Sequence, residues 1–160
     1  MDPMPTPGDP EVEAAWRERA IRELVDLIEI ESFSDQEHRI VDHLVARCEE
    51  LSVPVRRLPV AGAADDLLLG WAERPELLLT AHVDTIRPTW PWDGRARVEG
   101  DDVLGLGAQD DKGCVVAALL ALQLAREAGM DLAAAQVGVG LCVDEERGGK
   151  GSLAMASELW

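Results

Sequence analysis

An α/β fold, with a mostly parallel or mixed sheet flanked by helices, follows from two observations on this sequence. Short apolar runs such as Glu76 to His82 and Gln136 to Val143 alternate with longer segments of helical period. Three polar, largely acidic segments each stand just after such a run: His82-Val83-Asp84-Thr85, Gly105 to Gly113, and Asp144 to Gly149. In an open α/β sheet ligands collect at the carboxyl ends of the strands, so these segments are the candidate site.

The elements follow in order. Residues 1–9 read as a flexible, proline-rich lead, and residues 10–160 as one folded unit. Asp9-Pro10 has the pattern of an N-cap followed by proline at the first helical position. Val12, Trp16, Ile21, Leu24, Val25 and Ile28 then recur at helical spacing. Ser34-Asp35-Gln36-Glu37 has the capping-box pattern and predicts a second helix with Ile40, Val41, Leu44, Val45 and Cys48 inward, ending near Leu51. Strands are predicted over Val53 to Val60, Asp66 to Trp71 and Glu76 to His82. The unbroken Leu77-Leu78-Leu79 predicts burial on both faces. A Pro/Trp/Gly-rich loop from Arg87 to about Gly94 precedes a short strand over Asp102 to Leu104. Lys112 to Ala128 reads as a helix that is apolar nearly all round at its start, and so deep in the core. After the strand over Gln136 to Val143, Gly148, Gly149 and Gly151 lead into a last helical segment.

Composition excludes several functions. Fifteen basic residues against 31 acidic ones leave a net charge of −16 and no basic stripe, which disfavours nucleic acid and anionic membranes. The longest uninterrupted apolar run, Cys114 to Leu122, is too short to span a bilayer, and the N-terminus lacks the basic and apolar regions of a signal peptide. Cys48, Cys114 and Cys142 form no Cys-x-x-Cys pair and each sits in an apolar run, so they read as small core residues in a reducing compartment, the cytoplasm.

Taken singly, the polar pieces have ordinary readings. A lone His82 is more often a hydrogen-bonded structural residue than a ligand. Asp110-Asp111 could cap the following helix, and Asp144-Glu145-Glu146 could be a solvated turn. His38 and His43, five apart on a helix, read as surface residues. Gly105 and Gly107 match half of a dinucleotide fingerprint, but Asp110 would repel a pyrophosphate. Their convergence changes the balance, because like charges crowded at one sheet edge are costly without a cation. One imidazole among carboxylates suits zinc or a similar divalent ion, and Asp84, two residues past His82, suits the carboxylate that fixes a ligating histidine's tautomer.

These three segments, in this order and spacing, resemble the successive motifs of the dinuclear-zinc amidohydrolases and metallopeptidases. That family includes acetylornithine deacetylase, succinyl-diaminopimelate desuccinylase, aminoacylase and glutamate carboxypeptidase. The resemblance implies a zinc-exopeptidase-like catalytic domain with two Zn²⁺ per complete site, Co²⁺ or Mn²⁺ being alternatives. It implies His82, Asp110 and Glu146 as metal ligands, with Asp110 bridging and the Asp110–Asp111 peptide bond cis. Asp84 would orient His82, and Glu145 would be the general base for hydrolysis of an amide in N-acyl amino acids or small peptides. The family's full site needs a carboxylate some tens of residues beyond the Glu-Glu pair and a late histidine, whereas this sequence runs fourteen residues past Glu146 and carries no histidine after His82. The resemblance therefore implies an incomplete domain, its N-terminal portion, lacking the lid and dimerisation domain. Such a chain is expected to bind metal weakly, turn over little by itself and expose an apolar sheet edge that favours self-association. An inactive binding or self-associating fragment is the alternative. The Trp90-Pro91-Trp92 stretch reads equally as a pocket wall and as a packed surface loop.

Overall fold

A computed structural model describes residues 9–70 and 74–160. The predicted lead, apart from Asp9, and the end of the second predicted strand at Trp71 lie outside the described residues. Asp9 caps helix α1 (Pro10–Glu29) through its side chain, with Pro10 in the first turn. Helix α2 (His38–Glu50) follows, then strands β1 (Val55–Leu58), β2 (Asp66–Leu69), β3 (Leu77–His82), β4 (Arg97–Glu99) and β5 (Asp102–Leu104). An irregular wide turn at Ala108–Lys112 leads into α3 (Gly113–Glu127), a short α4 (Leu132–Ala135), β6 (Val137–Cys142) and α5 (Lys150–Leu159). Among the described residues no helix is long and apolar enough to cross a membrane.

The main sheet has the order β1-β2-β6-β3, and β4 and β5 form a separate hairpin. β2 runs antiparallel to both of its neighbours, β1 and β6, whereas β3 and β6 run parallel. The sheet is therefore mixed, with helices on both faces. Leu67, Leu69, Ala81, Val139 and Leu141 face α1, α2 and α3 in the larger core. Leu68 and Cys142 join Leu58, Met155 and Leu159 beneath α5. Successive side chains alternate between faces, so both halves of β2 and β6 are covered.

Four expectations are corrected. Ser34 does not cap α2; Glu37 occupies the N-cap position in helical conformation without a side-chain cap bond. Ser34 and Glu37 are instead drawn to partners distant in sequence, as shown below. The Leu77-Leu78-Leu79 run is not buried on both faces, because β3 is an edge strand and Leu77 and Leu79 remain 53% and 46% exposed. Helix α3 is not deep all round: Val115, Val116, Leu119 and Leu122 are buried, while Cys114 and Leu124 lie on an exposed side. Cys114 is thus a surface thiol rather than a core residue, unlike Cys48 and Cys142. The hairpin strand β4 and helix α4 add to the predicted elements; α4 is too short to show a helical period and is held by Asp131, whose side chain accepts from Ala133 and Ala134 N–H.

Candidate metal centre

The parallel register of β3 with β6 sets His82 opposite Cys142, so both strands end at the same edge and release their following residues side by side. Val83 N–H still donates to the Cys142 carbonyl, 3.0 Å, one residue beyond β3. Asp144 then adopts a positive φ of 56° and turns the chain, its carbonyl accepting from the N–H groups of Gly148 and Gly149. The second segment, Gly105 to Gly113, arrives before α3. Gly107, with φ 77°, starts the wide turn, and a Cβ there would stand 2.6 Å from the Thr85 side chain. The Asp110–Asp111 peptide bond is cis. Asp111 Oδ2 accepts the His82 backbone N–H at 3.1 Å, which ties this turn to the end of β3.

Asp84 is fully buried and saturated. Its carboxylate accepts from Ser34 Oγ (2.7 Å), Glu145 N–H (3.0 Å) and Glu146 N–H (3.2 Å), joining the first acidic segment to the third. Burial alone would raise its pKa; these donors and His82 overcome that and hold the carboxyl below the usual range. His82 Nδ1 lies 3.0 Å from the Asp84 carbonyl and 3.4 Å from its carboxylate, so this nitrogen is assigned the proton it donates there. Nε2 then carries the lone pair and faces Asp110 Oδ1 at 2.9 Å. Two lone pairs at that distance repel unless a proton or a cation joins them. Burial lowers the His82 pKa, but the contacts with Asp84 and Asp110 outweigh it and push it up to about 9.

One donor atom each from His82, Asp110 and Glu146 lies within 4.8 Å of the others. The Glu146 pKa is raised by burial and, secondarily, by the neighbouring Asp110 carboxylate. Glu145 is half-exposed, with Oε2 3.8 Å from His82 Nε2. All five residues singled out in the sequence therefore meet at one edge. Imidazole and carboxylate oxygens at this spacing are a donor set for a borderline-hard divalent ion, and the Nε2–Oδ1 approach is relieved by one.

The supporting residues were not legible as such. Glu37 is buried, its Oε1 accepting from Asp35 N–H (3.0 Å) and Asp144 N–H (3.1 Å). Lys112, 1% exposed, donates from Nζ to the Leu27 and Ile30 carbonyls, 2.9 Å each, and so fastens the wide turn to the end of α1. Asp66 Oδ1 accepts Val143 N–H at 2.9 Å just before the turn. Ser34 and Glu37 matched a local cap pattern, and nothing local marks the distant partners they serve.

A donor set able to hold a divalent ion thus stands at the carboxyl edge of an α/β sheet. The profile of peptidase family M20/M25/M40 matches residues 78–160, more than half of the chain, and the chain belongs to that family of metallopeptidases. A probable carboxypeptidase of Emericella nidulans is 30% identical over 138 residues, covering 82% of this chain and 32% of its own length. A tripeptidase from Staphylococcus aureus superposes with a TM-score of 0.72 at 26% identity, over 90% of this chain and 41% of that one. A Bacillus subtilis protein described as a dinuclear metal binding peptidase shares the fold, with TM-score 0.60 and 19% identity over 91% of this chain and 40% of that one. The chain spans about a third of the length of the curated relatives it matches, or less.

Proposed function

We propose that residues 10–160 are the N-terminal portion of a metallohydrolase catalytic domain that cleaves an amide bond in small peptides or N-acyl amino acids. The observation that carries this reading is the convergence of His82, Asp110 and Glu146 at the ends of parallel β3 and β6. These three side chains would hold one or two divalent ions, zinc first, with cobalt or manganese as alternatives. When bound, such an ion supplies Lewis acidity at the scissile carbonyl and at the attacking water. Asp84 keeps the His82 ring oriented by accepting from Nδ1. Glu145, beside His82 yet open to solvent, takes the proton of the attacking water and returns it to the leaving amine. The peptidase names of the relatives favour the peptide arm. Free Cys48, Cys114 and Cys142 support a reducing compartment such as the cytoplasm. The exposed edge at Leu77 and Leu79 supports self-association, which sedimentation at several concentrations measures.

Elemental analysis after dialysis against zinc tests the centre. Zinc is expected in the parent protein, lost in Glu146→Ala, and retained in Glu145→Gln. In the complete protein that carries this chain, Glu145→Gln should slow peptide hydrolysis by about 10²–10⁴-fold. Equal zinc in the parent and Glu146→Ala would overturn the ligand assignment.

A further inference from the structure

Beside the metal centre lies an open cavity of about 340 Å³ lined in part by Phe33, Asp35, Ile86, Arg87, Glu146 and Arg147. It shares Glu146 with the donor set, so a molecule whose reacting bond sits at the centre can extend into it. Its walls are held from the site itself. Phe33 forms a parallel bridge with Thr85, just past His82 and Asp84, and Thr85 N–H donates to the Ser32 carbonyl at 2.9 Å. Trp92 packs its ring edge-on against Phe33, with centroids 5.8 Å apart.

Two guanidinium groups face this space in a chain of net charge −16. Arg147 is already engaged, pairing with Asp35 and standing 3.5 Å from the buried Asp144. Arg87 is not. Its guanidinium carbon lies 4.2 Å from the Phe33 ring centroid, which holds it in place, and among the described residues no carboxylate is within ion-pairing distance. Asp35 is committed to Arg147 and Glu146 to the donor set, so Arg87 is the uncompensated charge of the cavity. A guanidinium's planar fork of donors matches a carboxylate.

We propose that this cavity is a substrate subsite in which Arg87, braced on Phe33, receives a carboxylate of the peptide. The assignment rests on the hydrolase reading of the adjacent centre. The carboxylate is either the peptide's C-terminal group or an acidic side chain, and both offer the same chemistry to the guanidinium.

Calorimetric titration of the complete protein with three blocked dipeptides separates these sources: Ac-Ala-Gln-OH, Ac-Ala-Glu-NH₂ and the uncharged Ac-Ala-Gln-NH₂. The parent protein is expected to prefer one of the charged peptides, and Arg87→Gln to weaken that peptide by about tenfold or more while leaving the uncharged one unchanged. Arg74→Gln, the same charge change at the opposite end of β3, should alter none of the three. The charged peptide that loses affinity identifies the source. No preference for a charged peptide, or an equal loss in Arg87→Gln and Arg74→Gln, overturns the subsite. Zinc bound at the centre with all three peptides alike refutes the subsite and leaves the metal reading. An Arg87-dependent preference with no zinc refutes the metal reading and leaves the subsite.

Discussion

Asp66 shows how a single buried side chain both supports the site and costs stability. Its Oδ1 accepts Val143 N–H, while Oδ2 is buried without a partner. Burial pushes its pKa up from 3.8 to about 6, against the stabilising backbone N–H. The native state therefore binds this proton more tightly than the unfolded chain, and the contribution of Asp66 to stability falls as pH rises from about 4 to about 6. Asp66→Asn keeps the acceptor for Val143 and removes the charge. The variant should gain stability relative to the parent across that window, with the difference constant above it. Urea unfolding at pH 4, 5, 6 and 7 measures this; a constant difference throughout would mean that Asp66 has the same pKa in the folded and unfolded states.

At the level of elements, α1 and the wide turn before α3 act as one unit through Lys112. Burial lowers its pKa to about 8, and the carbonyls at the C-terminal end of α1, where the helix dipole is negative, oppose that shift by binding the ammonium. Lys112→Met preserves the apolar stem but leaves the Ile30 carbonyl without this donor. It should cost about 1–3 kcal/mol in denaturant unfolding. Because the same turn carries Asp110 and Asp111, zinc content should fall with it. Unchanged stability would show that water replaces the ammonium without penalty. The start of α1 and the buried face of α2 were readable from caps and period; the edge position of β3 was not. Leu77-Leu78-Leu79 is equally compatible with a central and an edge strand, and only pairing decides between them.

For the whole molecule, the dominant electrostatic fact is a set of carboxylates gathered at one sheet edge on a chain of net charge −16. A ligand that binds only the native state stabilises it by mass action, by about 2.7 kcal/mol at a hundred times its dissociation constant. Thermal unfolding should therefore shift upward with added zinc in the parent protein and not in His82→Ala. An equal shift in both would place the zinc elsewhere.

The sequence by itself determined the class of fold, the helices α1 and α2, the buried strand β6 and the three polar segments, because period, capping and apolar runs are local properties. It also singled out His82, Asp84, Asp110, Glu145 and Glu146 as a group. Tertiary structure alone decided that these five meet, through the register of His82 with Cys142 and the bonds of Asp84 to Glu145 and Glu146. It likewise turned Ser34 and Glu37 from an apparent cap into supports of the site, made Lys112 a buried brace, and left Arg87 without an ion-pair partner among the described residues, in a cavity beside Glu146. Those roles depend on partners tens of residues away, whose approach is set by strand order and helix packing rather than by any neighbour in the chain.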